Sequence, residues 1–211
     1  MKKTIKVIAL FMALCMMLAM SGCTRPVTTE ERENIGVGSV KDGLYENTFY
    51  NIAFRAPEDW TCMSQDEIWE LNGWDPEEDL QEQLEERMSD YGHFIEMMAS
   101  KGTELTVKVS VDNAAVMQDP DISEEDYARA TRVDAEGQLG EAGCDELLVE
   151  DIYELFMGEE HYGFHIYAEL NGMKMYQKEI YIKNGIYFLV VTASSTNEDV
   201  TDDLLAMFYR L

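Results

Sequence analysis

Positive charge is scarce in this chain. Sixteen lysines and arginines stand against 42 aspartates and glutamates in 211 residues, a formal charge of −26. A phosphate backbone requires a basic face, so nucleic acid is excluded as a partner class. Proline is sparse at 4, and the 14 glycines follow no period, which rules out collagen-like and linker-dominated chains. Signatures of chemistry are missing as well: there is no G-x-S-x-G elbow, no Walker glycine loop, no dinucleotide G-x-G-x-x-G and no C-x-x-C. The expectation is therefore a protein that is not an enzyme and carries no cofactor. What the chain does have is apolar content. Hydrophobic residues at 46% and aromatics at 10% are enough to bury a core, and the length suits one domain.

The N-terminus holds the sharpest pattern. Lys2, Lys3 and Lys6 precede an uncharged, mostly apolar run over 7–20, followed by Ser21-Gly22-Cys23. That run is shorter than the roughly 20 helical residues needed to cross a hydrocarbon core, so it reads as the h-region of a signal peptide. The stretch resembles a bacterial lipoprotein signal, with cleavage beside the small Ser21 and Gly22 and diacylglycerol on the Cys23 thiol. Met20 stands where the usual lipobox has leucine. Ordinary secretion with cleavage near Ser21-Gly22, or an uncleaved anchor, is the competing reading. Two acyl chains give a stable attachment where one would be marginal. The expected organisation is a signal peptide over 1–22, a lipidated cysteine with a polar tether over 23–42, and one globular domain over 43–211. The expected location is the extracytoplasmic side of a membrane, held by the lipid.

From Gly43 onward, apolar and polar residues alternate. Short strands are predicted around 44–46 and 51–55. Ser64-Gln65-Asp66-Glu67 is a capping box for a helix through Leu71, and Asn72-Gly73 ends it. Asp75-Pro76-Glu77-Glu78 has the form of a second helix start, with Leu80, Leu84 and Met88 as its packed stripe and the acids as its solvated face. A hairpin is predicted over 94–99 and 105–111, with Leu105, Val107, Val109 and Val111 inward and Thr106, Lys108 and Ser110 outward. Ser123 caps a helix to about Gly140 carrying Tyr127, Thr131, Ala135 and Leu139 on one face. Asn171-Gly172 and Asn184-Gly185 sit between alternating runs, the strongest short-range hairpin signal. They predict a meander over 160–170, 173–183 and 186–194, preceded by a strand at 152–156. A terminal helix is predicted to carry Val200, Leu204, Phe208 and Leu211. The sum is α+β: a mainly antiparallel sheet of six or seven strands between helices.

Two stretches are familiar. Gly43-Leu44-Tyr45-Glu46-Asn47, Ile52-Ala53-Phe54 and Pro57-x-x-Trp60 resemble the opening of small extracellular lipoproteins of the PsbP/Mog type. Asn171-Gly172-x-x-x-Tyr176 through Gly185-x-Tyr187-Phe188 is similar to that fold's closing meander. The resemblance implies an α/β/α sandwich and a non-catalytic interaction module, and it carries no functional residue across.

Few residues invite a chemical role. Trp60 and Trp74, with Trp69, would line an aromatic cleft for sugar or peptide, or else cover a core edge. Cys62 and Cys144 are the two thiols that remain once Cys23 is lipidated and Cys15 leaves with the signal. They form either a disulfide of an exported protein or two buried thiols. His161 and His165 have the i, i+4 spacing of a zinc helix, but Tyr162 replaces the required glutamate and the surrounding alternation is that of a strand. No metal site is expected, although His93 could approach one of them across strands. Three functions stay open: an anchored interaction or assembly module with an extracytoplasmic protein partner, a ligand-binding lipoprotein with an aromatic cleft, and a hydrolase with convergent acids or a His–acid pair.

Overall fold

The computed structural model describes residues 36–75, 80–117 and 119–211. Within them the strands are β1 (Ser39–Lys41), β2 (Leu44–Asn47), β3 (Ile52–Arg55), β4 (Thr61–Cys62), β5 (His93–Lys101), β6 (Leu105–Asn113), β7 (Glu146–Phe156), β8 (Glu159–Leu170), β9 (Met173–Asn184), β10 (Tyr187–Thr196) and β11 (Phe208–Tyr209). The helices are α1 (Gln65–Asn72), α2 (Leu80–Asp90), α3 (Ala114–Met117), α4 (Glu124–Glu141) and α5 (Thr201–Leu205). Seven strands form one sheet in the order β4-β5-β6-β10-β9-β8-β7, and all its pairings are antiparallel. A second sheet, β1-β2-β3-β11, covers part of one face. The molecule is α+β, as its alternation and hairpin signals imply.

Each face of the large sheet has its own core. Tyr187, Leu189, Val191 and Ala193 of β10 join Val107, Val109 and Val111 of β6 beneath the small sheet, with Tyr45, Ile52, Phe54 and Phe208 opposite. Phe188 and Val190 point the other way and pack with Phe164, Ile166, Tyr181 and the α4 residues Tyr127, Ala135 and Leu139. Tyr127 stacks on Phe188 with ring centres 4.1 Å apart. The run over 186–193 is apolar because both of its faces are covered.

Local signals hold where local chemistry decides. Ser64 and Glu67 make the reciprocal capping box, and Gly73 closes α1 in the left-handed region. Ser123 caps α4. Asn171 and Gly172 both have positive φ in their two-residue turn, the I′ pattern, whereas the β9–β10 turn uses Gly185 as its first loop residue. The helix start expected at Asp75-Pro76 lies outside the described residues beyond Asp75; Leu84 and Met88 of α2 are buried as the stripe requires.

Four expectations are corrected. The stretch assigned to a tether includes β1, which pairs with β2 around Asp42-Gly43, both at positive φ. The terminal helix stops at Leu205, and Phe208 instead pairs with Phe54 in β11; the four-residue spacing is accidental, because the chain turns at Ala206 to reach the open edge of β3. The strand expected over 152–156 begins six residues earlier, at Glu146. Lys108 and Ser110 are buried, not solvated. Pairing sets Lys108, Thr192 and Glu179 in one row across β6, β10 and β9. Burial pushes the Glu179 carboxyl up, and the Lys108 charge offsets part of that push.

Candidate interaction edge

The two edges of the large sheet differ. At one end β4 is two residues long; at the other β7 runs for eleven, and among the described residues it has a strand partner on one side only. Eleven consecutive pairs join β7 to β8 without a shift in register. Its residues alternate. Leu147 and Val149 pack toward the α4 core, and Ile152 and Phe156 toward the other. Beyond the reach of those cores, Leu148 and Tyr153 are each 52% exposed and Leu155 is 73% exposed.

The outer half of this hairpin leaves the sheet. Pairing between β8 and β9 ends at Gly163 and Ile180, whereas β7–β8 pairing continues to Phe156 and Glu159 and β9–β10 pairing to Asn184. Gly163 stands at the fork. A Cβ there would lie 1.9 Å from the Glu179 carbonyl oxygen, so only glycine lets the strands approach this closely. The amides released by the fork find a carboxylate instead. Glu124, the first residue of α4, accepts from Tyr162 N at 2.9 Å and Lys183 N at 3.2 Å, and His161 Nδ1 lies 3.3 Å from it.

Between the start of α4 and the peeled hairpin lies a cleft of about 140 Å3. Glu125, Ala128 and Arg129 form one wall, and Asp151, Ile152, Tyr153, Tyr162 and Gly163 the other. The Tyr153 and Tyr162 rings lie 4.5 Å apart, and Tyr153 Oη donates to Glu160. Partial desolvation and the Glu160 carboxylate raise the Tyr153 phenol above its ordinary value. The cations at this wall are engaged: Arg129 with Glu125 at 2.8 Å, and Arg132 with Asp151 at 2.9 Å and Glu136 at 3.0 Å. The walls suit an apolar side chain and the rim is acidic.

The residues singled out from the sequence lie elsewhere. Trp74 is a core residue, 5.4 Å from Phe94 between ring centres, and Trp60 packs edgewise on Phe54 at 6.4 Å. They back the first core, which is the core-edge reading of the two, and neither lines the tyrosine-walled cleft. Cys62 lies on β4 and Cys144 just before β7, and both thiols are free. Six strand spacings of about 4.8 Å separate those edges, beyond the reach of any disulfide. Of the two readings open for Cys62 and Cys144, the structure has the free thiols. Ser21, Gly22 and Cys23 lie outside the described residues.

His161 and His165 both sit on β8, as the alternation requires. They face different acids: Glu124 for His161, and Asp199 at 3.0 Å for His165. His93 contacts Asp112 at 2.5 Å, and Tyr127 Oη donates to the second oxygen of that carboxylate at 2.9 Å. None of the three histidines lines the cleft. Among the described residues no three metal-ligating side chains converge, and no helix is long and apolar enough to cross a membrane.

No protein-family profile and no curated protein matches the chain. Among solved structures it is similar to the solution structure of cyanobacterial PsbP (CyanoP) from Synechocystis sp. PCC 6803. Identity is 11%, over 85% of this chain and 95% of that one, with a TM-score of 0.44. It is also similar to LpqN, a protein involved in cell envelope biogenesis of Mycobacterium tuberculosis. There the identity is 13%, over 88% and 91% of the two chains, with a TM-score of 0.32. CyanoP is of the PsbP type named from the sequence motifs. The fold class itself is read from the strand order and the two cores, and no residue role is transferred.

Proposed function

We propose that the chain is a lipid-anchored, extracytoplasmic interaction module whose docking surface is the β7 edge. One observation carries this reading: an eleven-residue edge strand, unbulged, with Leu148, Tyr153 and Leu155 exposed. Soluble domains ordinarily blunt such an edge by shortening it, bulging it or placing lysine or proline on it. The other edge of the same sheet is shortened to two residues, so the open end stands out within a sheet that protects its opposite side.

The location rests on the sequence: the Lys2, Lys3 and Lys6 cluster, the 7–20 apolar run and Ser21-Gly22-Cys23 support diacylglycerol on Cys23. Ser39 follows Cys23 by sixteen residues, a reach of at most about 55 Å from the membrane surface. Acid excess keeps the domain off an anionic bilayer and leaves the edge strand open to a protein partner.

Two measurements test this. Cys23→Ala should abolish incorporation of a labelled fatty acid and leave unprocessed precursor; normal processing with label retained would refute the anchor. A photo-crosslinking amino acid at Leu155, in the organism's own membranes, should give discrete protein adducts that the same group at the exposed Glu70 does not. Absence of adducts at 155, or equal adducts at both positions, refutes the docking surface.

A further inference from the structure

Taking β7 as the docking edge, we infer that its occupant is an extended, positively charged segment of a partner protein, added antiparallel to β7 as an eighth strand. Its apolar side chain would seat between the start of α4 and the Tyr153–Tyr162 pair.

The backbone defines the binding mode. Along an antiparallel edge, alternate residues turn both N–H and C=O outward, so eleven residues present about five such pairs to an incoming strand. The register to β8 contains no bulge that would twist this ladder away. An extended segment satisfies those groups, and pockets for alternate side chains supply selectivity.

Charge defines the occupant. The charged residues of β7 are Glu146, Glu150, Asp151 and Glu154, and the strand has no lysine, arginine or proline. Glu159 and Glu160 continue the acidic rim on β8, and Glu125 on α4. The nearby cations already pair with acids: Arg129 with Glu125, Arg132 with Glu136 and Asp151, Lys178 with Glu154 and Arg210 with Glu159. Among the described residues, this leaves Glu146, Glu150 and Glu160 as the rim carboxylates open to an incoming cation. A second copy of this chain would set four acids against four on molecules that each carry −26, and like charges opposite one another destabilise a strand pair. An acidic or neutral partner gains nothing from the rim. A segment alternating lysine or arginine with apolar residues meets carboxylates along the edge and apolar surface on both faces: Tyr153 and Leu155 on the α4 side, Leu148 on the other. The cleft, at about 140 Å3, admits one aliphatic side chain.

The test uses the full lipoprotein in detergent and an acetylated ten-residue peptide alternating lysine with valine. Fluorescence anisotropy should show saturable binding, and amide exchange should slow over 146–156. An acid protein attracts any basic peptide, so location and geometry decide. N-methylation of one alternate set of peptide amides should abolish binding, whereas methylation of the other set should leave it intact, because a strand pairs along one side. Glu150→Lys should weaken binding about fivefold, with Glu70→Lys leaving it within error, since one exposed charge contributes modestly. Equal tolerance of both N-methyl sets, protection elsewhere than β7, equal binding of a glutamate–valine peptide, or a dimer of the chain through this edge would each overturn the inference. Crosslinks at 155 with no peptide pairing would sink the strand-addition chemistry and spare the module. Peptide pairing with no crosslinks at 155 would do the reverse.

Discussion

Two buried residues show how single positions hold the scaffold behind the edge. Glu96 is the extra residue of a β5 bulge between Ile95 and Met97, and it is 1% exposed. It accepts from Tyr45 Oη, from Gly38 N at 2.9 Å and from Asn47 Nδ2 at 2.9 Å, clamping the small sheet to the large one. Burial raises its carboxyl above the ordinary glutamate range, although those three donors pull it back. Where the folded value lies above the unfolded one, the native state holds a proton that the unfolded chain has released. Stability is then full below the ordinary glutamate range and falls as pH rises from there through the raised value. Denaturant unfolding across that window should show this decline in the wild type and a flatter profile in Glu96→Gln; identical slopes would refute the assignment. Gly163 gives a second test. Alanine there would place its Cβ 1.9 Å from the Glu179 carbonyl oxygen, so Gly163→Ala should cost about 2–3 kcal/mol as overpacking forces β8 and β9 apart. A midpoint in urea unchanged from wild type would show that the fork is not held by close approach.

At the scale of elements, the small sheet closes on its last strand. Phe208 of β11 lies against Phe54 and Phe156 with ring centres 5.1 and 5.8 Å away. Phe208→Ala should cost about 3–5 kcal/mol, measured by chemical unfolding, and a cost below 1 would mean that β11 is peripheral. What could be read from the sequence divides along the same line. Caps, turns and alternation are local, and Ser64, Ser123, Asn171 and the inward valines of β6 do what their spacing implies. The Asp42-Gly43 turn was equally legible as a two-residue hairpin signal, but a polar, glycine-containing neighbourhood hid it. The fork was not legible, because Glu124 reaches Lys183 across 59 residues. Nor was the burial of Glu96, whose bond to Gly38 spans 58. Lys108 reads as a solvent residue in any local window; only the strand order puts Thr192 and Glu179 beside it. For Trp60 and Trp74 both readings were open in the sequence, because the contacts with Phe54 and Phe94 that favour the core edge come from packing between elements. No motif marked Tyr153 and Tyr162, although the unprotected run from Glu146 to Phe156, lacking lysine and proline, was a usable sign of an open edge.

For the whole molecule, charge and topology act together. A net charge of −26 disfavours association between copies, and the four acids of β7 place that repulsion on the strand most able to self-pair. Sedimentation of the purified full-length chain at low ionic strength should therefore return a monomer, and a dimer lost on Leu148 and Leu155 substitution would assign the edge to self-assembly. If β7 is instead kept for a partner, its backbone should be free in the purified chain and covered in the cell envelope. Amide hydrogen exchange over 146–156, compared between the purified protein and the protein in membranes of the cells that make it, reads this out. Selective slowing of β7 in the membranes, with α1 unchanged, is the result expected. Identical exchange of β7 in the two settings would contradict it.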